Sequence, residues 1–112
     1  MTDKILVFST CETEEEAARL ARTLVEKKLA ACVNILPGAR SIYRWQGKVE
    51  DAKEFLLTIK SRRDLFDQLR AELEHMHSYE VPEAIAIPIV DGSERYLKWI
   101  EGALASGARP AE

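Results

Sequence analysis

Cysteine is scarce in this chain, with Cys11 and Cys32 alone among 112 residues. Two are too few for a disulfide framework, and they form no C-x-x-C pair, so no local metal motif is present. A reducing, cytoplasmic setting is the expectation. Glycine (5) and proline (4) are few and scattered. That excludes a low-complexity chain, and there is no glycine-rich phosphate loop. No G-x-S-x-G, Walker or zincin pattern occurs. A basic excess is missing too: 16 Lys and Arg stand against 19 Asp and Glu, a net charge of −3. Phosphate binders usually carry a basic excess, so nucleic acid is not expected as a partner. No apolar run approaches the ~20 residues of a membrane span, so no membrane partner is expected either. The first residues hold no stretch able to act as the apolar region of a signal peptide, and none is expected.

The chain does have a balance typical of folded domains. Hydrophobic residues make up 46% and charged residues 31%. At this length one domain is expected, burying roughly 65% of its unfolded surface. We read it as a single domain over 1–107 with a flexible tail over 108–112.

Ile5-Leu6-Val7-Phe8 is a short apolar run suited to a buried strand. Thr13-Glu14-Glu15-Glu16 carries a capping box, in which Thr13 caps a helix and Glu16 reaches back to the cap amide. Ala17, Leu20, Ala21 and Leu24 then mark one face of a helix over about 14–28. A second extended segment, Ala31 to Trp45, is interrupted at Pro37-Gly38, where a bend or bulge is expected. Gln46-Gly47 reads as a tight hairpin turn. Phe55, Leu57 and Ile59 alternate as the apolar side of the returning strand. The two arms are about 14 residues each, well beyond the usual 5–6. Ser61 is read as the cap of a second helix with Leu65, Leu69, Leu73 and Met76 buried, ending near His77. An irregular stretch, Ser78 to Glu83, leads to a strand over Ala84–Val90. Ser93 caps a third helix with Tyr96, Leu97, Ile100 and Leu104 inward, and Gly107 is its expected stop.

The order β-α-β-β-α-β plus a terminal helix predicts an α+β, ferredoxin-like sandwich: a four-stranded antiparallel sheet with two helices on one face, a long hairpin between the second and third strands, and an extra C-terminal helix. The third helix is too small to cover the other face. Association through that face or through strand edges along the hairpin is expected.

The residues with chemistry each have a plainer alternative. Cys32 is a small core hydrophobe or a soft thiolate ligand for copper or zinc. Cys11, beside a helix start, reads as a reactive loop thiol with a lowered pKa. His75 and His77 point in different directions on a helix and form no ready chelate. His77 abuts the irregular stretch and is the better ligand candidate, with Glu80 able to add a carboxylate. Tyr43, Trp45, Glu54 and Tyr79 line a ligand cleft or pack between strands and subunits.

Three segments taken together resemble the CutA divalent-cation tolerance family. They are Leu29-Ala30-Ala31-Cys32-Val33-Asn34-Ile35 with Pro37-Gly38 and Ser41-Ile42-Tyr43-Arg44-Trp45-Gln46-Gly47-Lys48; His77-Ser78-Tyr79-Glu80-Val81-Pro82-Glu83; and Tyr96-Leu97-Lys98-Trp99-Ile100. The resemblance runs from about Lys4 to Leu104. It implies a ferredoxin-like homotrimer with hairpins paired between subunits, and binding of copper and other divalent cations in metal tolerance. Cys32 and His77 fall on the family's proposed ligand positions. Some members carry a further cysteine where Ser9 stands here, and Cys11 lies two residues on, on the same side of a strand. Ser78 replaces a usual proline, and Ser61-Arg62-Arg63 replaces a Thr-rich stretch.

The expected function is therefore a trimeric, cytoplasmic metal-binding protein of metal homeostasis, not an enzyme, with Cys32, His77, Glu80 and Cys11 as ligand candidates. The alternative is a small-ligand or signalling trimer like the PII proteins, its inter-subunit clefts lined by Tyr43, Trp45, Lys60, Tyr79 and Glu80 and open to nucleotides or small anions. A scaffold that anchors an unknown protein partner also fits the sequence.

Overall fold

The computed structural model describes residues 2–106. The strands and helices follow in the order β1 (Lys4–Cys11), α1 (Glu14–Glu26), β2 (Cys32–Trp45), β3 (Lys48–Arg62), a 3-10 turn (Arg63–Leu65), α2 (Phe66–Met76), β4 (Ile85–Pro88) and α3 (Glu94–Ala103). The sheet order is β2-β3-β1-β4, and every neighbouring pair is antiparallel. This is the ferredoxin-like sandwich expected from the order of the elements.

Alternation along β1 makes the core. Ile5, Val7, Ser9 and Cys11 are buried on the helix-covered side, opposite Ser61, Ile59, Leu57 and Phe55 of β3. Leu20 and Leu24 of α1 and Leu69 and Leu73 of α2 complete it, all wholly buried. Thr13 caps α1, accepting from the Glu16 amide at 3.1 Å. The other half of the expected box is absent. The Glu16 carboxylate turns inward to the residue after His77 instead, because that buried site offers it two donors.

Several expected boundaries move. Helix α1 stops at Glu26, where Lys28 takes a positive φ of 59° to turn the chain. Ser61 is no cap: it continues β3 and donates to the Leu29 carbonyl at 2.7 Å, and the helical turn begins only at Arg63. The fourth strand is four residues long rather than seven. Helix α3 starts at its Ser93 cap as expected but ends at Ala103. The expected stop at Gly107 and the tail over 108–112 lie outside the described residues.

The long hairpin is present, with arms of 14 and 15 residues. The register slips between Leu36 and Ala39, and Gly38 sits at φ +86°, the bulge expected at Pro37-Gly38. Gln46 and Gly47 both have positive φ, 52° and 81°, the pattern of a two-residue turn whose twist matches the strands. The arms carry the molecule to a length of 48 Å.

On the other side of the sheet, α3 covers only the end formed by Lys4 and Arg62. Arg62 is 1% exposed. It donates to Asp64 at 2.6 Å, to Glu101 at 2.9 Å and to the Ala105 carbonyl at 2.8 Å, while Lys4 reaches the same Glu101 at 2.9 Å. The remainder of this side leaves Leu36, Ile85 and Ile87 exposed.

Two variants test the packing. Ser9 Oγ is buried with no hydrogen-bond partner among the described residues. A buried, unpaired hydroxyl costs about 1–3 kcal/mol. Ser9→Ala is expected to raise stability by about 1 kcal/mol in urea denaturation. Arg62→Ala strips two carboxylates and a carbonyl of a buried cation and is expected to lose about 3 kcal/mol.

Candidate functional site

The hairpin, the end of β1 and the irregular segment after α2 meet around a cleft of about 630 Å³. Ser41, Tyr43 and Trp45 alternate on β2, so all three face the same side of the arm. Glu54 of β3 lies opposite Ala39 and faces that side as well. The other wall is Ser78 through Glu83, with Thr10 of β1 at the floor.

Two buried groups fix this wall. His77 ends α2 and turns its ring inward, where Nε2 donates to the Thr10 carbonyl at 2.8 Å. Nδ1 accepts from the Tyr79 amide at 3.0 Å. A carbonyl can only accept and an amide N–H can only donate, so the two bonds select the Nε2–H tautomer. Beside it, Glu16 accepts from the Ser78 amide at 2.8 Å and from the Ser78 hydroxyl at 2.9 Å. Ser78 is thus held by two bonds, neither of which a proline could make, since it has no amide N–H and no hydroxyl. Pro82 then keeps the chain extended.

Inside the cleft, Glu54 is only 6% exposed, and its Oε2 accepts from the Tyr79 hydroxyl at 2.6 Å. Burial, and then the hydrogen bond and charge of Glu54, push the Tyr79 phenol well above its ordinary value, so Tyr79 remains a donor. Burial, seconded by the Glu54 charge, also raises the Glu83 carboxyl. The lining includes three carboxylates, Glu54, Glu80 and Glu83, and no lysine, arginine or histidine.

The expected cleft residues Tyr43, Trp45, Glu54, Tyr79 and Glu80 do come together here. Lys60 does not. It lies on the sheet face toward α3, donating to Asn34 Oδ1 at 3.0 Å with its ammonium 5.7 Å from the Tyr96 ring. The reason is register: Lys60 pairs with Cys32 and Leu6, far down β3 from the arm. Glu83, Ser41 and Thr10 also line the cleft, although no sequence motif singles them out. The spacing of Ser41 with Tyr43 and Trp45 was the available signal, whereas Glu83 enters through the path of the loop.

The four ligand candidates do not converge within one chain. Cys32 is half-buried, its sulfur 4.0 Å from Asn34 Oδ1. His77 is bonded to Thr10, four residues along β1 from the Leu6 that aligns with Cys32 through Lys60. That alone separates them by roughly 13 Å along the strand. Glu80 stands in the cleft wall with no other ligand candidate bonded to it. Cys11 corrects the expectation of a reactive loop thiol. It is wholly buried, and it donates to the Thr13 carbonyl at 3.5 Å. Burial and the nearby Glu16 push its thiol up to about 11, the opposite of an activating helix start. Among the described residues no group of three or more His, Cys, Asp or Glu is placed to hold a metal ion.

Comparison with known proteins fits this geometry. The profile described as CutA1 divalent ion tolerance protein matches residues 5–103. The chain belongs to the CutA1 divalent ion tolerance family. It is 46% identical over 95 residues to the divalent-cation tolerance protein CutA of Thermus thermophilus, covering 85% of this chain and 92% of that one. It is 46% identical over 97 residues to the chloroplastic CutA of Arabidopsis thaliana, covering 87% of this chain and 53% of that one. The chain thus spans about half the length of that plant relative. Among solved structures, the Thermus thermophilus protein superposes with a TM-score of 0.88 at 43% identity, over 91% of this chain and 99% of that one. CutA1 from Oryza sativa superposes with a TM-score of 0.91 at 42% identity, over 95% and 97%. Divalent-cation tolerance is the function attached to the CutA family, and it names no reaction, so the chemistry has to come from the residues.

The two thiols are expected to differ sharply in reactivity. With a pKa of about 11, about one Cys11 in a thousand is thiolate at pH 8. A disulfide-exchange reagent at pH 8 should label one thiol per chain quickly, and Cys32→Ser should abolish that fast phase.

Proposed function

We propose that the chain acts in the cytoplasm as a homotrimer that binds divalent metal ions, copper foremost, in the service of metal tolerance and homeostasis. It works as a binding protein and not as an enzyme. The observation that carries the metal reading past family membership is Cys32, the accessible thiol of the pair, half-buried on the open sheet face beside Asn34. A thiolate is a soft ligand, and copper stands at the top of the affinity order for such sites. Cys32 needs further ligands from a second chain or from water, because His77, Glu80 and Cys11 are remote from it or committed to other bonds. Both cysteines are unpaired, which agrees with a reducing compartment.

Exposed apolar surface supports the trimer. Ile42 and Val49 on the arms are 64% and 66% exposed, and Leu36, Ile85 and Ile87 leave the sheet face uncovered. Strands β2 and β4 are both sheet edges with unpaired backbone groups. The alternative of a PII-like trimer that takes small ligands draws support from the cleft, but its lining offers no cation to a nucleotide or small anion.

Copper titration of the wild type, Cys32→Ser and His77→Ala tests the ligands. Cys32→Ser is expected to weaken copper binding at least ten-fold, and unchanged affinity in that variant removes the proposed ligand; a loss in His77→Ala would show that His77 gives up its backbone bonds to reach the metal. Native mass spectrometry should give a particle near three times the 12.7 kDa chain mass, and a monomer overturns the trimer.

A further inference from the structure

The cleft between the hairpin and the Ser78–Glu83 wall holds an imbalance that the metal reading leaves unused. Glu54 is a carboxylate more than nine-tenths buried, and a buried charge is costly unless it is paired. Its one hydrogen bond comes from the neutral Tyr79 hydroxyl to Oε2, and Oε1 has no partner among the described residues. Glu80 and Glu83 share the lining, no basic side chain does, and none of the three is in an ion pair among the described residues. The site is built to attract positive charge.

Two observations define what kind of cation fits. The three carboxylates do not converge on one point, since no three acidic, His or Cys groups among the described residues can hold a metal ion together. A point charge that demands several ligands in one shell is therefore poorly served. Meanwhile Tyr43, Trp45 and Tyr79 supply aromatic surface beside the carboxylates. Aromatic faces attract ammonium and guanidinium groups, Trp most strongly, and they also pack against an apolar body. A volume of about 630 Å³ is that of a small organic ligand rather than of an ion.

We propose that this cleft is a binding site for an organic ammonium compound, its cationic head against Glu54 and its apolar body between Trp45, Tyr43 and the Val81-Pro82 wall. Glu80 and Glu83 add attraction at the mouth. The site uses neither Cys32 nor His77 as a ligand, so it stands or falls separately from copper binding.

Three probes of one size and different charge test it: benzylamine, benzyl alcohol and benzoate. Each is titrated into full-length protein carrying Trp99→Phe, so that Trp45 is the sole tryptophan reporter, with calorimetry in parallel. Benzylamine is expected to bind saturably at one per chain, at least ten-fold tighter than benzyl alcohol, with benzoate not binding. Glu54→Gln keeps an acceptor for Tyr79 while removing the charge and should weaken benzylamine at least five-fold while leaving benzyl alcohol unchanged. Glu83→Gln, farther from the buried network, should weaken benzylamine in the same direction, and thermal melts confirm that both variants fold. Absence of benzylamine binding, equal affinity for benzylamine and benzyl alcohol, or wild-type affinity in both variants overturns the proposal. Displacement of benzylamine by equimolar Cu²⁺ or Mg²⁺ also overturns it and reassigns the cleft to a metal.

Discussion

The buried carboxylate of Glu16 anchors everything on the functional side of this molecule. It sits on the first turn of α1 at 5% exposure and receives both donors of Ser78. Next to it, the His77 ring bonds to the floor of the cleft at Thr10 and to the amide of Tyr79. These bonds fasten the end of α2 to the start of α1 and the end of β1. The loop that follows has little regular structure of its own. It keeps its path because its first three residues are tied down and Pro82 restricts the rest. Tyr79 is thereby delivered to Glu54 at 2.6 Å, and the cleft acquires its second wall.

The opposite end of the molecule is organised by a different buried charge. Arg62 gathers Asp64, Glu101 and the Ala105 carbonyl, and Lys4 joins it at Glu101. Helix α3 is pinned there and stops short of the rest of the sheet face. A consequence is that the face carries an ionic end under α3, a polar strip of Cys32, Asn34, Thr58 and Lys60, and exposed apolar side chains at both sheet edges, Leu36 on β2 and Ile85 and Ile87 on β4. The strip holds the accessible thiol and the apolar edges are suited to association. The cleft lies beyond both, along the outer part of the hairpin from Glu54 to Trp45 beside the turn.

Charge explains why these regions differ in what they can recruit. The polar strip mixes a lysine with amide and hydroxyl groups and leaves a soft sulfur at its edge. The cleft concentrates carboxylates beside aromatic rings without a counter-ion. Cys11 and Cys32 illustrate the same point within one residue type. One is sealed beneath α1, where burial and Glu16 suppress its ionisation, and the other lies on the uncovered side of the sheet.

The order of elements, the bulge at Pro37-Gly38, the turn at Gln46-Gly47 and the caps at Thr13 and Ser93 were legible in the sequence, because each rests on contacts a few residues apart. Alternation along β3 also revealed which of its sides is core, and the length of the arms was plain, whereas β1 read only as a continuous apolar run whose core side the structure assigned. The partnership of Tyr43, Trp45, Glu54 and Tyr79 was readable as a cluster, since strand spacing puts the first three on one side. Tertiary structure alone decided where Glu16 and Ser61 point, since both have acceptable local roles and both took stronger buried partners from remote segments. It alone decided that His77 spends both ring nitrogens on the backbone, that Lys60 stays out of the cleft, and that Cys11 is inert. Those outcomes depend on register and on burial across the sheet, where a group's neighbours come from residues tens of positions away and the energy of leaving a buried group unpaired outweighs its local preference.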